Sequence, residues 1–310
     1  MKRIIVTTTI NEPTKAIKKF CGIDDWDCFI VVGDKKTPHE LYRELEKKYP
    51  HVLYYSPEDQ EKDFPELSGS IGWNCIQRRN LGFVKAYNLG AEIVATVDDD
   101  NIPYENWGKN LFVGKEIECD YFGTDLAVFD PLSATNNNFV WHRGYPLELV
   151  SKRRDVYYMG KIKKKVLVQA DLWDGDPDVD AIARLTKKPC VKFQTNAPFC
   201  SNKISPFNSQ NTFLSREVLP FYGVLPHVGR MDDIWGSYVL QKFFPGCVIY
   251  CPATVYQERN GQDLITNLEK EIMGYRNTLQ FVNDLDNFEN YLPEDTKSFW
   301  EIYRGCFDEK

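Results

Sequence analysis

Ile93-Val94-Ala95-Thr96-Val97 runs directly into Asp98-Asp99-Asp100-Asn101. The first five residues predict a strand that is buried on both faces, because such strands are continuously apolar. Three consecutive carboxylates at the end of a buried strand repel one another, and a divalent cation relieves that repulsion. In extended backbone alternate side chains point the same way, so we expect Asp98 and Asp100 to share an oxygen-rich site. The stretch predicts a Mn²⁺ or Mg²⁺ site made by Asp98, Asp99 and Asp100, with an acidic turn cap as the alternative.

Strands and helices alternate on the N-terminal side of this stretch. Because fully apolar strands alternate with helices, we predict an α/β fold with a doubly wound, mostly parallel, Rossmann-type sheet. Open sheets of this kind bind ligands at the carboxyl ends of their strands, where the acidic triplet lies. The predicted strands are Ile4–Val6, Cys28–Val32, Val52–Tyr55 and Ile93–Val97, and the predicted helices are Pro13–Phe20, His39–Lys48 and Trp73–Leu89.

Composition excludes several classes of protein. The 310 residues are 43% hydrophobic and 14% aromatic, which is too apolar for a disordered chain. A net charge of −7 argues against nonspecific nucleic-acid binding. We find no apolar run long enough to span a bilayer, which takes about 20 residues. The nine cysteines are scattered and odd in number, so we expect free thiols and a cytoplasmic location.

Polar residues near the predicted strand ends and before the acidic strand suggest a nucleotide site. Thr8, Asn11 and Asp34 follow the first two strands and suit a uridine-like base and its ribose. Arg78 and Arg79 lie on the helix before the acidic strand, from which they are expected to reach a diphosphate, unless they only cover the helix exterior. Neither a G-x-G-x-x-G nor a Walker A motif occurs.

Two acidic groups and one basic run come later in the chain. The segment 172–180 carries four carboxylates, and Asp232-Asp233 immediately precedes an apolar helix. This pair is interpreted either as an N-cap or as a base that deprotonates an acceptor hydroxyl. The basic run between Lys152 and Lys165 is either a solvated flank or a clamp for an anionic group.

The order of these motifs resembles that of the STELLO-type glycosyltransferases and, more distantly, that of the plant reversibly glycosylated polypeptides, which are UDP-arabinopyranose mutases. The resemblance covers about residues 3 to 260 and depends on the shared order and spacing of several short motifs. They are Thr9-Ile10-Asn11-Glu12-Pro13-Thr14, Ile71-Gly72-Trp73, Asn88-Leu89-Gly90-Ala91, the acidic triplet, Arg143-Gly144-Tyr145-Pro146-Leu147-Glu148, Gly175-Asp176-Pro177-Asp178-Val179-Asp180, Pro206-Phe207-Asn208-Ser209-Gln210-Asn211-Thr212 and Arg230-Met231-Asp232-Asp233-Ile234-Trp235-Gly236.

The resemblance implies a GT-A fold. Residues 1–260 would form the glycosyltransferase domain, with a nucleotide-sugar half over 1–123 and an acceptor half over 124–260. Residues 261–310 would form a helical C-terminal extension, for which the apolar spacing from Leu264 onward and a last helix at Lys297–Cys306 provide support.

The same resemblance implies roles for individual residues. Asp98, Asp99 and Asp100 would hold the cation against the UDP diphosphate. Arg143 matches the arginine that carries the sugar in the reversibly glycosylated polypeptides, and we expect it to touch the donor. The acceptor side would be formed by Asp232 and Asp233 as catalytic carboxylates and by Asp178, Asp180, Asn208 and Trp235.

One departure and three alternatives accompany this hypothesis. GT-A enzymes often complete the metal shell with a histidine, but the corresponding stretch Cys251–Gln257 contains none. A UDP-sugar mutase that glycosylates itself is the main alternative to a transferase acting on a glycan or protein-linked sugar. A nucleotidyltransferase or phosphatase and a nonenzymatic sugar-binding module have less support. The sequence does not indicate the oligomeric state.

Overall fold

A computed structural model describes residues 1–137, 139–195, 197–259 and 261–308. The strands are Arg3–Thr9 (β1), Cys28–Gly33 (β2), Val52–Tyr55 (β3), Ile93–Val97 (β4), Asn101–Pro103 (β5), Glu116–Gly123 (β6), Tyr157–Lys165 (β7), Val168–Gly175 (β8), Phe199–Ser201 (β9), Asn211–Ser215 (β10) and Val248–Gln257 (β11). The α-helices are Lys15–Phe20 (α1), His39–Lys48 (α2), Pro57–Asp63 (α3), Pro65–Ile71 (α4), Arg79–Asn88 (α5), Ala181–Lys187 (α6), Asp232–Phe243 (α7), Leu264–Asn283 (α8) and Glu294–Gly305 (α9).

The strands form one sheet in the order β3-β2-β1-β4-β10-β8-β11-β9-β6-β7, with β5 paired to β11. The first four strands of this order up to β4 are parallel, as the alternation of strands and helices predicts. The sheet becomes mixed beyond β4, because β10 runs antiparallel to both of its neighbours. The predicted α/β class with a doubly wound parallel region is confirmed.

The core lies on both faces of the parallel strands. Every residue of β4 is buried, and α5 packs against β1 and β2. This packing is close at Gly82, where an added Cβ would lie 2.5 Å from Val6 Cγ1 and 2.7 Å from Val32 Cγ2. The helix before the acidic strand is thereby fixed against the sheet.

The helix predicted over Trp73–Leu89 begins later than expected. Gly72 and Asn74 have positive φ angles of 77° and 58°, so the chain turns before a short 3₁₀ segment leads into α5. The Asp34 carboxylate accepts backbone N–H bonds from Asn74 and Cys75, at 2.8 and 3.1 Å, and holds this turn. The apolar spacing predicted helical hydrogen bonds for Asn74 and Cys75, but their N–H groups bind the Asp34 carboxylate instead.

The C-terminal helices pack onto the rest of the molecule. Helix α8 contacts α6, and α9 contacts α4. Residues 260, 309 and 310, which belong to the predicted boundary and to the end of the extension 261–310, lie outside the described residues. Among helices in the described ranges, none is long and apolar enough to cross a membrane.

The basic run does not form an anion clamp in this structure. Strand β7 pairs with β6 so that Lys161, Lys163 and Lys165 lie opposite acidic residues of that strand. Lys161 Nζ also lies 3.4 Å from Glu118 Oε1. The charges of the run are balanced across two strands, which favours the solvated-flank interpretation.

Candidate active site

The acidic triplet occupies the turn between β4 and β5, at the carboxyl end of β4. Strand β4 lies on one side of β1 and β2 on the other, so the strand order reverses between β1 and β4. In open α/β sheets the crevice at such a reversal is where ligands bind. A hydrogen bond connects the two strand ends at this reversal, because Thr9 Oγ1 at the end of β1 donates to Asp99 Oδ2 at 2.5 Å.

Asp99 holds the two strand ends together. Its Oδ2 also accepts from Asn11 Nδ2 at 2.9 Å, and its carbonyl accepts from the hydroxyl of Thr14, the N-cap of α1. Within the described ranges, no group of three or more His, Cys, Asp or Glu side chains converges as a metal site. One oxygen of the Asp99 carboxylate is thus engaged by Thr9 and Asn11, and a role for Asp99 as a third metal ligand stays a prediction.

Asp98 and Asp100 form an unequal pair. Asp98 Oδ1 lies 2.5 Å from Arg79 Nη2, whereas Asp100 Oδ1 has only a long contact of 3.4 Å with Gln257 Nε2. Burial raises the pKa of Asp100 to about 7, and the charge of Asp98 contributes to that shift. Asp98 forms a close ion pair with an arginine, whereas the charge of Arg259 acts on Asp100 and only partly offsets the rise in its pKa.

This pair fits a hard divalent cation. Mg²⁺ or Mn²⁺ accepts one or two carboxylates and completes its shell with water and phosphate oxygens. The adjacent Asn101 has a buried amide oxygen with no hydrogen-bond partner in the described part of the chain, which is a further oxygen of the kind such cations prefer. Asp98 and Asp100 would hold the cation.

Arg79 connects the acidic turn to a buried network of charges. Its Nη1 donates to the carbonyl and hydroxyl oxygens of Ser209, at 2.8 and 2.6 Å. Ser209 in turn donates from its N–H and hydroxyl to Asp233 Oδ2, at 2.9 and 3.0 Å. The network continues to Arg143, whose Nη2 lies 2.8 Å from Asp233 Oδ1. The acidic turn and Asp233 in the first turn of α7 are therefore linked through two intervening residues, Arg79 and Ser209.

Arg143 is the centre of this network. Its Nε donates to Asp178 at 2.9 Å, its Nη2 to Asp233, and its Nη1 to the carbonyl of Arg230. Burial opposes its charge, but Asp178 and Asp233 outweigh burial and raise the pKa of Arg143 well above its ordinary value. The expected contact with the donor is not favoured, because all three guanidinium nitrogens already serve protein acceptors.

Asp232 and Asp233 differ although they are neighbours. Burial opposes ionisation of Asp233, but Arg143 outweighs it and lowers the pKa of that carboxyl. For Asp232, burial and the charge of Asp233 raise the pKa to about 7. Asp232 accepts one hydrogen bond from a side chain, from Gln77 Nε2 at 2.8 Å. A carboxylate with a pKa near neutrality is suited to general base chemistry, and Asp233 is not.

Of the four residues predicted on the acceptor side, the structure brings two to this network. Asp178 pairs with Arg143, and Asn208 Nδ2 donates to Asp178 Oδ2 at 3.1 Å. Asp180 instead caps α6 by accepting from Ala183 N. Trp235 is fully buried and stacks on Phe281 of α8, so the prediction that these two residues face an acceptor is wrong.

Three residues predicted to bind the nucleotide instead form hydrogen bonds within the protein. The Thr8 hydroxyl donates to the carbonyl of Val32 at 3.0 Å, and Asp34 holds the turn before α5. Arg78 is fully buried and donates to Gln60, Ser68 and the carbonyl of Gly72. Arg78 therefore cannot reach a diphosphate here, and Arg79 is the arginine of the pair that borders the acidic turn.

Sequence reasoning missed three residues near the acidic turn, namely Ser209, Gln257 and Arg259. Ser209 lies within one of the quoted motifs, but nothing in the sequence indicates that it contacts Arg79 and Asp233. Gln257 ends the stretch in which a histidine was expected, and Arg259 follows two residues later. If that stretch is extended by two residues, it includes Arg259, a positively charged side chain close to where a histidine ligand was expected.

Comparisons with known proteins give a structural likeness only. No model of a protein family matches the chain, and no curated protein matches it. Among solved structures, the chain is similar to glucosyl-3-phosphoglycerate synthase from Mycobacterium tuberculosis in complex with phosphoglyceric acid, at 13% identity and a TM-score of 0.47, over 91% of this chain and 79% of that one.

A second structure of that synthase, with Mn²⁺, UDP and phosphoglyceric acid, is similar at 12% identity and a TM-score of 0.47, over 90% of this chain and 78% of that one. Similarity at this level leaves the reaction to be argued from the residues of this chain. The resemblance to STELLO-type enzymes and to the mutases stays a prediction.

Proposed function

We propose that this chain is a metal-dependent glycosyltransferase with a GT-A-like fold, which moves a sugar from a UDP-sugar to a hydroxyl group of a glycan or a protein-linked sugar. The observation that carries the proposal is the pair Asp98 and Asp100 at the point where the strand order reverses. Burial and the charge of Asp98 raise the pKa of Asp100 to about 7 although Arg259 lowers it, so a further positive charge is favoured at this site. A cation at that position supplies the charge that a diphosphate ligand requires.

The other residues of the site have roles consistent with such a transfer. Asp232 accepts the proton of the acceptor hydroxyl as the new bond from oxygen to the sugar forms and the bond to UDP breaks. The electron pair of the broken bond leaves with the diphosphate, near the positive charge of Arg79. Arg143 and Asp233 position Asp232 by holding the first turn of α7. Asn11, exposed beside Asp99, borders the nucleotide.

Transfer to a separate acceptor has more support than the mutase alternative. Self-glycosylation at Arg143 would require that guanidinium to act as a nucleophile. Its nitrogens donate to two carboxylates and a carbonyl, and its pKa is raised, so it stays protonated. A protonated guanidinium has no lone pair to offer a sugar.

The metal test compares three isosteric variants of the acidic turn. Asp98→Asn and Asp100→Asn should each weaken UDP binding in Mn²⁺ by about 10-fold or more, because each removes one charged ligand. Asp99→Asn is the matched control, since an amide oxygen can still accept from Thr9 and Asn11, and its UDP affinity should stay within a few-fold of wild type. Calorimetric titration in Mn²⁺ and in EDTA measures both. Equal UDP binding in Mn²⁺ and EDTA would contradict the proposal.

The donor and the reaction are tested by incubation with a panel of UDP-sugars and Mn²⁺. Release of UDP that depends on an added acceptor identifies a transferase. A chain that binds sugars but releases no UDP with any donor would be a nonenzymatic binding module.

A further inference from the structure

Arg259 is the least committed guanidinium of the site. Its two hydrogen bonds within the described residues are both donated by Nη2, to Gln257 Oε1 at 3.1 Å and to the carbonyl of Pro177 at 3.4 Å. Its two carboxylate neighbours, Asp176 and Asp178, are each 3.8 Å away, beyond hydrogen-bond distance. Its Nε is buried and has no hydrogen-bond partner among the described residues, as is also the case for Nε of Arg79 and Arg184.

Three other buried arginines are engaged more closely. Arg79 and Arg143 each have a nitrogen within 2.8 Å of a carboxylate oxygen, and Arg184 donates to Asp176 and to the carbonyl of Pro177. The side chain of Arg259 is only 8% exposed, and burial lowers its pKa. A buried guanidinium with unspent donors is costly unless an anion completes its hydrogen bonds.

The backbone places Arg259 beside the acidic turn. The preceding residue, Glu258, donates its N–H to the carbonyl of Asp100 at 3.0 Å. Gln257 pairs with Asn101 in the ladder of β11 and β5, and its side chain contacts both Asp100 and Arg259. The guanidinium is thus one side chain away from Asp100, and its charge lowers the pKa of that carboxyl.

We propose that Arg259 binds the diphosphate of the nucleotide ligand, next to the turn where Asp98 and Asp100 would hold the cation. Oxygens of the diphosphate would accept hydrogen bonds from Nε and Nη1, since a guanidinium binds phosphate oxygens in a bidentate manner. The assignment rests on the proposed function for the identity of the ligand as a nucleoside diphosphate, whereas the buried guanidinium by itself indicates an anion. Arg259 then supplies a fixed positive charge two residues after the stretch in which a histidine ligand was expected.

The experiment titrates three probes into the full chain by calorimetry: Mn²⁺ alone, pyrophosphate with Mn²⁺, and UDP with Mn²⁺. Arg259→Gln should weaken pyrophosphate and UDP binding by about 10- to 100-fold, because charge-assisted hydrogen bonds are lost. Arg259→Lys, which keeps the charge but loses the planar fork, should recover part of the affinity. Arg184→Gln is the matched control, as it removes a buried guanidinium from the same Asp176, and should change UDP affinity by less than about threefold.

Mn²⁺ alone separates a binding role from a structural one. Removal of a positive charge near Asp100 should leave Mn²⁺ affinity equal or increase it, whereas collapse of the site would reduce the affinity for all three probes. Wild-type affinity of Arg259→Gln for both pyrophosphate and UDP would overturn the inference, as would collapse of the site or failure of wild type to bind pyrophosphate. If pyrophosphate binds through Arg259 but UDP binds no more tightly, the inference holds and the UDP-sugar proposal fails.

Discussion

At the scale of single residues, Asp232 is the side chain on which the proposed reaction depends. Its pKa of about 7 lies above the ordinary carboxyl value, so it is protonated below that pH and is a base only above it. We therefore expect kcat/KM for transfer to rise with pH through about 7. Asp232→Asn should lower kcat by roughly 10²–10⁴-fold and leave the affinity for UDP near that of wild type.

Gln77 provides the control for this assignment. Its Nε2 donates to Asp232 Oδ2 and stabilises the charged form, so Gln77→Leu should move the pH profile to higher pH without abolishing transfer. Steady-state rates between pH 5.5 and 9 measure both effects. An Asp232→Asn enzyme with the kcat of wild type would show that the carboxylate only begins the helix.

Asp99 illustrates what single residues in a sequence do not disclose. Three adjacent aspartates predict repulsion and therefore a cation, and this reasoning applies to Asp98 and Asp100. In Asp99, one carboxylate oxygen instead accepts from Thr9 and Asn11 near the end of β1. Alternation in extended backbone predicts that Asp99 points away from Asp98 and Asp100. It does not predict the hydrogen-bond partner of Asp99, because Thr9 lies 90 residues earlier in the chain.

At the scale of elements, strands were predicted well where burial was uniform. Strands β3 and β4 have the predicted bounds, because short apolar runs between polar turns admit little else. The start of α5 was not predictable, since it depends on a carboxylate at the end of β2. The antiparallel β10 was also missed, because the irregular composition before it indicates loops and does not reveal strand direction.

Helix α7 provides a test at this scale, because its position sets that of Asp232. A Cβ added at Gly236 would lie 2.0 Å from the carbonyl oxygen of Gly223, so Gly236→Ala must push the helix away from that loop. We expect a loss of about 1–3 kcal/mol in the free energy of unfolding, and a lower kcat. Gly69→Ala is the control: the position is exposed within α4 and has nothing within 4 Å of an added Cβ, so stability should be equal or higher. Denaturant unfolding measures the difference, and equal stability of Gly236→Ala and wild type would contradict it.

At the scale of the whole molecule, the site is a set of ion pairs and hydrogen bonds between distant segments. Arg79 meets Ser209, which lies 130 residues later, and Arg143 meets Asp178 and Asp233. In the sequence these arginines resemble any helix or loop arginine, because pairing partners are decided by tertiary packing. The sequence could therefore predict which segments carry the site, but not which charges neutralise one another within it.

The last prediction concerns Arg143. It distinguishes a structural role of this residue from covalent attachment of the sugar to it. Arg143→Lys keeps one charge but cannot hold Asp178, Asp233 and the carbonyl of Arg230 together. Weakening buried pairs in this way should lower the free energy of unfolding by about 3 kcal/mol. Arg154→Lys is the control, since Arg154 donates one hydrogen bond, to the carbonyl of Asn137, and its stability should change by less than about 1 kcal/mol.

Intact-mass spectrometry of the wild-type chain after incubation with UDP-sugars and Mn²⁺ completes the test. We expect no covalent sugar, because a guanidinium clamped by two carboxylates stays protonated and has no lone pair to attack the donor. A mass increase of one hexose or pentose that excess UDP removes, mapped to the peptide containing Arg143, would instead establish the mutase. In that case the carboxylates would have to release Arg143 during turnover, and the loss of stability in Arg143→Lys would be small.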